Sequence, residues 1–266
     1  MLFWLLGFFL VQASQTDTLV VKSACLNKSI SSMVIIPDSY KEGDSSFPVL
    51  YLLHGAGGDF KNWLQRVPAL RNYADMYHMI IVCPDGGTTS WYFDSPIDPT
   101  YQYETYVSKE LVSSVDNHYR TIPSSKGRAI TGLSMGGHGA FYLAFKHNDI
   151  WGAAGSMSGG VDIRPFPESW DISKRLGKDA SNSSVWESHS VINLVYLLNG
   201  KNLKLTFDCG VDDFFIDVNR SLHEKLLYMN IPHDYTERPG RHNWDYWSNS
   251  IKYQLVFFNN FFTKAQ

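Results

Sequence analysis

Apolar residues fall into two recurrent patterns along the chain. Short continuous runs, Val49–Leu53 and Met79–Cys83, leave no polar position to face solvent, as expected of strands buried on both faces of a parallel sheet. Longer stretches instead space their apolar residues three and four apart: Val107, Leu111, Val112 and Val115; Leu222, Leu226 and Met229; Trp247, Ile251, Leu255, Phe258 and Phe262. That spacing lays one apolar stripe along a helix. Leu19–Ala24 and Ser32–Ile36 read as an antiparallel opening pair, and further strands are expected at Ala129–Leu133, Gly152–Ser156, Leu203–Cys209 and His233–Glu237. Alternating strand and helix predicts an α/β domain with a mostly parallel central sheet of about eight strands and helices on both faces. No low-complexity linker or internal repeat divides it, so 15–266 is expected to be one domain.

Composition narrows the class. A chain of 266 residues, 44% apolar and 18% charged, suits one large globular domain. With 23 basic against 26 acidic side chains the net charge is -3, which lacks the basic excess of a phosphate-binding surface and argues against nucleic acid as a partner. Aromatic residues reach 15%, enough to line a cleft as well as a core. Cys25, Cys83 and Cys209 are odd in number and match no metal-cluster spacing, so at most one disulfide and no metal are expected. The apolar run Leu2 to Val11, followed by Gln12, Ala13 and Ser14, has the form of a signal peptide over 1–14. Spanning a bilayer takes about 20 residues, so the expectation is cleavage and export to the periplasm or the exterior, with no stable membrane association afterwards. Asn27-Lys28-Ser29, Asn182-Ser183-Ser184 and Asn219-Arg220-Ser221 fit the glycosylation sequon, a short pattern that also arises by chance.

Gly132-Leu133-Ser134-Met135-Gly136 fits G-x-S-x-G, with an expected strand before it and small residues opening a helix after it. In that context the serine stands on a sharp turn, and the helix amino terminus favours negative charge developing beside it. A serine hydroxyl attacks only if a base takes its proton and a third group orients the base. Nine histidines compete. The chain order Ser, acid, His of this arrangement eliminates His54, His78 and His118 as the base. His138 and His147 fall on the following helix, His189 and His223 in an insertion and a helix, and His233 in the last strand. His242 remains, in the loop Arg238-Pro239-Gly240-Arg241-His242-Asn243-Trp244. For the acid, Asp208 is still in its strand, whereas Asp212 and Asp213 lie past Gly210. Asp213 is preferred, because burial of Phe214 and Phe215 would strengthen its field on an imidazolium, with Asp212 the runner-up. The oxyanion hole needs two backbone N–H groups. One is assigned to Met135 and the other, from the glycine-rich loop Leu53-His54-Gly55-Ala56-Gly57-Gly58, to Ala56, with Gly55 as alternative and as a residue bordering the substrate.

Taken in order, Leu53-His54-Gly55, Gly132 to Ala140, Cys209 to Phe214 and Pro239 to Trp244 make the chain resemble the esterase D-like branch of the α/β-hydrolases. That branch includes S-formylglutathione hydrolases, tributyrin esterases, feruloyl and acetyl-xylan esterases and the more distant mycolyltransferases. The resemblance covers nearly the whole chain after the leader. It implies an α/β-hydrolase fold, Ser134 as nucleophile, Asp213 as acid, His242 as base, and Ala56 and Met135 as oxyanion donors, with no cofactor. Its motifs are specific for fold and triad and poor for substrate. Trp91 and Tyr92, on the loop after Met79–Cys83, are candidates to stack on a sugar or an aromatic acyl group, or else to cover the core. The segment between Gly159 and Asn199, with Phe166 and Trp170, is a candidate cap, and Trp244 and Trp247 are candidates to shape the pocket or to anchor the last helix. The reading that follows is an exported serine esterase removing acetyl, feruloyl or other short acyl groups from plant polysaccharide or its oligosaccharides. A thioesterase of the S-formylglutathione type and a non-catalytic carbohydrate-binding protein are the alternatives. Oligomeric state is not legible.

Overall fold

The computed structural model describes residues 14–178 and 183–265. The apolar leader Leu2 to Val11, and Asn182 of one sequon, lie outside the described residues. Eight strands form one sheet in the order β1-β2-β4-β3-β5-β6-β7-β8. They are β1 Gln15–Ser23, β2 Lys28–Ile36, β3 Val49–Leu53, β4 Ile80–Pro84, β5 Arg128–Gly132, β6 Ala153–Met157, β7 Lys204–Gly210 and β8 Asp234–Arg238. β1 pairs antiparallel with β2, and β2 with β4, while the remaining ladders are parallel. Each expected strand is present, with limits that differ from the expected ones by at most four residues and with β3 matching without offset. One correction concerns His233, which precedes β8 rather than lying inside it.

The continuous apolar runs are read in alternation by two cores. Val49, Tyr51 and Leu53 of β3 enter one, and Leu50 and Leu52 enter the other, because successive side chains of a strand point to opposite faces. The helices divide between the faces accordingly. α1 (Asn62–Arg66), α2 (Leu70–Met76) and α6 (Trp244–Ala265) cover the second core. α3 (Val112–His118), α4 (Met135–Lys146) and α5 (Ile216–Tyr228) cover the first. The stripe Trp247, Ile251, Leu255, Phe258 and Phe262 is buried along its length. The turn before α3, Tyr106–Leu111, is wound as a π-helix, which spacing of apolar residues does not reveal. Cys25, Cys83 and Cys209 are free thiols. Asn219 of one sequon is fully buried and donates to the carbonyl oxygens of Gly159 and Phe215, so no glycan fits there, whereas Asn27 sits exposed in the β1–β2 turn.

The strand order places the carboxyl end of β3 beside that of β5, with Leu53 opposite Gly132. The chain leaves β3 for β4 on one side and reaches β5 on the other, a crevice where open α/β sheets take ligands. At the end of β5 the chain turns into α4 with almost no room. A Cβ on Gly132 would lie 2.6 Å from the backbone of Gly136, and one on Gly136 would lie 2.5 Å from the carbonyl oxygen of His54 and 2.6 Å from that of Leu53. α4 can therefore start only where β5 ends, pressed against the tip of β3. Its far end is tied by Glu104, which accepts from Tyr142 Oη at 3.0 Å, Lys146 Nζ at 2.7 Å and His147 Nε2 at 2.8 Å. Burial alone would raise the Glu104 carboxyl, but these donors hold it down, to about 2.

Gly136→Ala is expected to lower the urea midpoint by the equivalent of about 1–3 kcal/mol, the usual range for overpacking, and to reduce any activity that depends on Ser134. A variant of unchanged stability would show that the turn has slack. Because the Glu104 carboxyl lies below its unfolded value of 4.5, its stabilisation is complete above that pH and is lost as pH falls toward about 2. Glu104→Gln is thus expected to unfold at lower urea than the parent near neutrality, with the gap narrowing as pH drops below about 4.5. A gap that widens in acid would contradict the assignment.

Candidate active site

Ser134 stands between β5 and α4 with φ 54° and ψ -117°, a region that non-glycine residues populate only under constraint. β6 supplies part of the constraint, since the Ser134 N–H donates to the Met157 carbonyl at 2.9 Å. Its Oγ lies 2.9 Å from His242 Nε2, and His242 Nδ1 lies 2.8 Å and 3.0 Å from the two carboxylate oxygens of Asp213. A carboxylate only accepts, so Nδ1 carries the proton, Nε2 is bare, and Ser134 Oγ–H donates to it. Asp213 also accepts from the Phe215 N–H at 2.9 Å. Its side chain is 0% exposed and that of His242 14%, which keeps water from competing for the pair.

Three residues distant in sequence thus meet as expected, on the loops after β5, β7 and β8. Of the adjacent acids, Asp213 reaches the imidazole, while Asp212 is exposed and uses its N–H on the Gly240 carbonyl. One step of the expectation needs correction: Phe215 is buried, but Phe214 is 52% exposed. Phe214 is a wall of the site, with its ring centroid 4.2 Å from that of His242. Trp247 backs the imidazole edge-on at 4.9 Å, and Trp244 packs edge-on against Trp63 at 5.2 Å, anchoring the start of α6 to α1.

The backbone N–H groups of Ala56 and Met135 have no acceptor among the described residues. Met135 is the first residue of α4, and Ala56 is half-buried on the loop after β3. Gly55 is the reason that this loop can touch Ser134, since a Cβ there would sit 3.3 Å from Ser134 Cβ and collide with the Leu133 side chain.

Trp91 and Tyr92 are not at the surface. They are 1% and 0% exposed, so neither offers a face for a sugar or an aryl group to stack on. Trp91 Nε1 donates to the Trp170 carbonyl at 3.2 Å, and Tyr92 Oη donates to the His54 carbonyl at 3.1 Å. Both residues have positive φ, 56° and 59°, which turns the rings inward, beneath the loop. The exposed ring beside the imidazole is Phe214. The segment between β6 and β7 brings Trp170 to stack on Phe214, with centroids 5.6 Å apart and planes 20° apart, and Phe166 edge-on to Phe215 at 5.0 Å. The pairing of Trp170 with Phe214 escaped sequence reasoning. The signals available were the proximity of Phe214 to the preferred acid and the place of Trp170 in the candidate cap.

Known proteins resemble this chain over most of its length. A family described as “Putative esterase” matches residues 23–258. An esterase of Mycobacterium tuberculosis is 29% identical over 235 residues, 79% of this chain and 51% of its own, so the chain spans about half the length of that relative. The acetyl esterase of Caldicellulosiruptor saccharolyticus is 29% identical over 252 residues, 86% of this chain and 92% of its own. A solved ferulic acid esterase is 30% identical with a TM-score of 0.81, covering 94% of this chain and 98% of its own. With the match extending over most of the chain and through all the loops that meet at Ser134, the protein belongs to this esterase family and has the α/β-hydrolase fold.

Proposed function

We propose that the chain hydrolyses carboxylic esters through an acyl-enzyme. Ser134 Oγ attacks the ester carbonyl carbon while His242 Nε2 takes its proton, and the resulting oxyanion accepts from the Ala56 and Met135 N–H groups. The tetrahedral carbon then expels the alkoxide, to which His242 returns the proton, leaving Ser134 acylated. Water repeats the sequence with His242 as base, releasing the acid and the free hydroxyl. Asp213 holds the imidazole in the Nδ1–H tautomer and offsets its charge when protonated. The continuous Ser134–His242–Asp213 hydrogen-bonded chain carries this reading. No cofactor takes part in these steps.

For substrate, the reading is removal of acetyl, feruloyl or other short acyl groups from plant polysaccharide or its oligosaccharides by an exported enzyme. Two similar proteins are named for acetyl and ferulic acid esters, and the exposed ring of Phe214 lies beside the base, with the partly buried Trp170 stacked on it. Export rests on the leader-like composition of 1–14. No helix among the described residues is long and apolar enough to cross a membrane.

Ser134→Ala is expected to lower kcat on p-nitrophenyl acetate by roughly 10⁶-fold while the protein remains folded. Unchanged turnover would remove the serine mechanism, and with no turnover in either form a carbohydrate-binding role would take its place. A panel of acetylated xylo-oligosaccharide, methyl ferulate, short aliphatic esters and S-formylglutathione is expected to give the highest kcat/KM on one of the first three. Dominant thioester turnover would replace the substrate reading with a thioesterase one.

A further inference from the structure

His54 follows β3 and is almost completely buried one residue before the loop that holds Gly55 and Ala56. Its Nδ1 lies 2.8 Å from the Gly55 carbonyl oxygen, and its Nε2 lies 2.8 Å from the Gly86 backbone nitrogen. An amide N–H only donates and a carbonyl only accepts, so Nε2 must be bare and Nδ1 must carry the proton. Burial pushes this imidazole below its usual value, which keeps it in the neutral form that both bonds require.

The same two bonds orient a peptide. Gly55 and Ala56 are joined by a trans bond, and a planar trans peptide points its N–H opposite to its C=O. The Gly55 carbonyl is turned toward His54 Nδ1 and toward the Gly58 N–H, 3.1 Å away. The Ala56 N–H consequently faces the other way, with no acceptor among the described residues. We propose that His54 is a positioning residue for the reaction: by donating to the Gly55 carbonyl, it sets the direction of the Ala56 N–H that receives the oxyanion. This rests on the serine-esterase reading above.

The imidazole is itself mounted on the loop after β4. Gly86 N–H donates to its Nε2, Tyr92 Oη to its own carbonyl oxygen at 3.1 Å, and the Gly57 N–H to the Thr88 carbonyl at 2.8 Å. Trp91 and Tyr92 hold left-handed backbone conformations in that loop, which persist only when surrounding contacts over-determine them. Gly58 leaves room for the ring, since a Cβ there would come within 2.9 Å of Nδ1.

The test compares His54→Ala, His54→Asn and His54→Gln in the full chain. It reads kcat and KM on p-nitrophenyl acetate, the inhibition constant of phenylboronic acid, and the melting temperature. Phenylboronic acid bonds to Ser134 Oγ as a tetrahedral anion and so requires the hole without requiring turnover. The Asn side-chain nitrogen falls where Nδ1 was and can still donate to Gly55, whereas Gln reaches toward Gly86 instead. His54→Ala and His54→Gln are expected to lose about 10- to 100-fold in kcat with KM little changed, the scale of a weakened oxyanion donor. The boronate should weaken in proportion, and His54→Asn should recover most of both. Should His54→Ala fail to fold, the Asn and Gln variants decide alone. Equal activity of Asn and Gln, or boronate affinity that does not follow kcat, would overturn the proposal, leaving His54 a packing residue. The serine reading fails separately, by Ser134→Ala leaving turnover unchanged. A Ser134-dependent enzyme indifferent to His54 removes only the present proposal.

Discussion

The rest of the site depends on one crowded turn. Ser134 is held at positive φ between a strand and a helix, a conformation that no side-chain cap bond supports. It persists because Gly132 and Gly136 let the start of α4 lie against the end of β5 and the tip of β3 at distances that any side chain would forbid. The turn does two things together: it lifts the hydroxyl clear of the sheet and places the Met135 N–H next to it. A relaxed turn would have to withdraw the hydroxyl or tilt α4 away, so the Ser134 hydroxyl and the Met135 N–H stand or fall with the same backbone contacts. Strain of this sort costs on the order of 1–3 kcal/mol, which is offset by the packing of α4, buried along nearly its whole length.

The His242 imidazole is held from behind. Asp208 sits inside β7, fully buried, and its carboxylate accepts from Tyr246 Oη at 2.8 Å, Ser250 Oγ at 2.5 Å and Gln254 Nε2 at 2.9 Å, all on α6. Burial pushes its carboxyl upward, although these donors and the nearby Arg238 act in the opposite direction. A buried charge is tolerable only with such partners. Their geometric effect is to lock the first turns of α6 against β7, and His242 lies two residues before α6 begins. The acid that does not touch the imidazole therefore helps to locate it, while the acid that does, Asp213, is braced by its own bond to the Phe215 N–H.

The aromatic content divides by role in a way that composition conceals. Tyr92 faces inward and supports the loop after β3, and Trp91 faces inward beneath Trp170, whereas Phe214 lies exposed beside the His242 imidazole with the partly buried Trp170 stacked on it. The two pairs are connected, because Trp91 Nε1 donates to the backbone of Trp170. The loop after β4 and the segment between β6 and β7 are thus fixed to each other through an indole.

The strands, the helices on both faces of the sheet, the serine turn and the chain order of Ser134, Asp213 and His242 were legible because each rests on local chemistry, whereas the order of the strands in the sheet was not. Apolar runs bury both faces of a strand, helical spacing marks a stripe, and G-x-S-x-G between strand and helix leaves few conformations open. The choice of Asp213 over Asp212 was legible as a preference, and the geometry follows it. What escaped reading depends on contacts between distant segments. Whether Trp91 faces solvent is decided by φ at two residues and by the β6–β7 segment that covers it. His54, excluded as a base by its position before the serine, acquires its importance from Gly86 across the β3–β4 crossover. A side chain's identity limits the bonds it can make, but only the assembled fold decides which partner stands opposite, since that partner arrives from another strand.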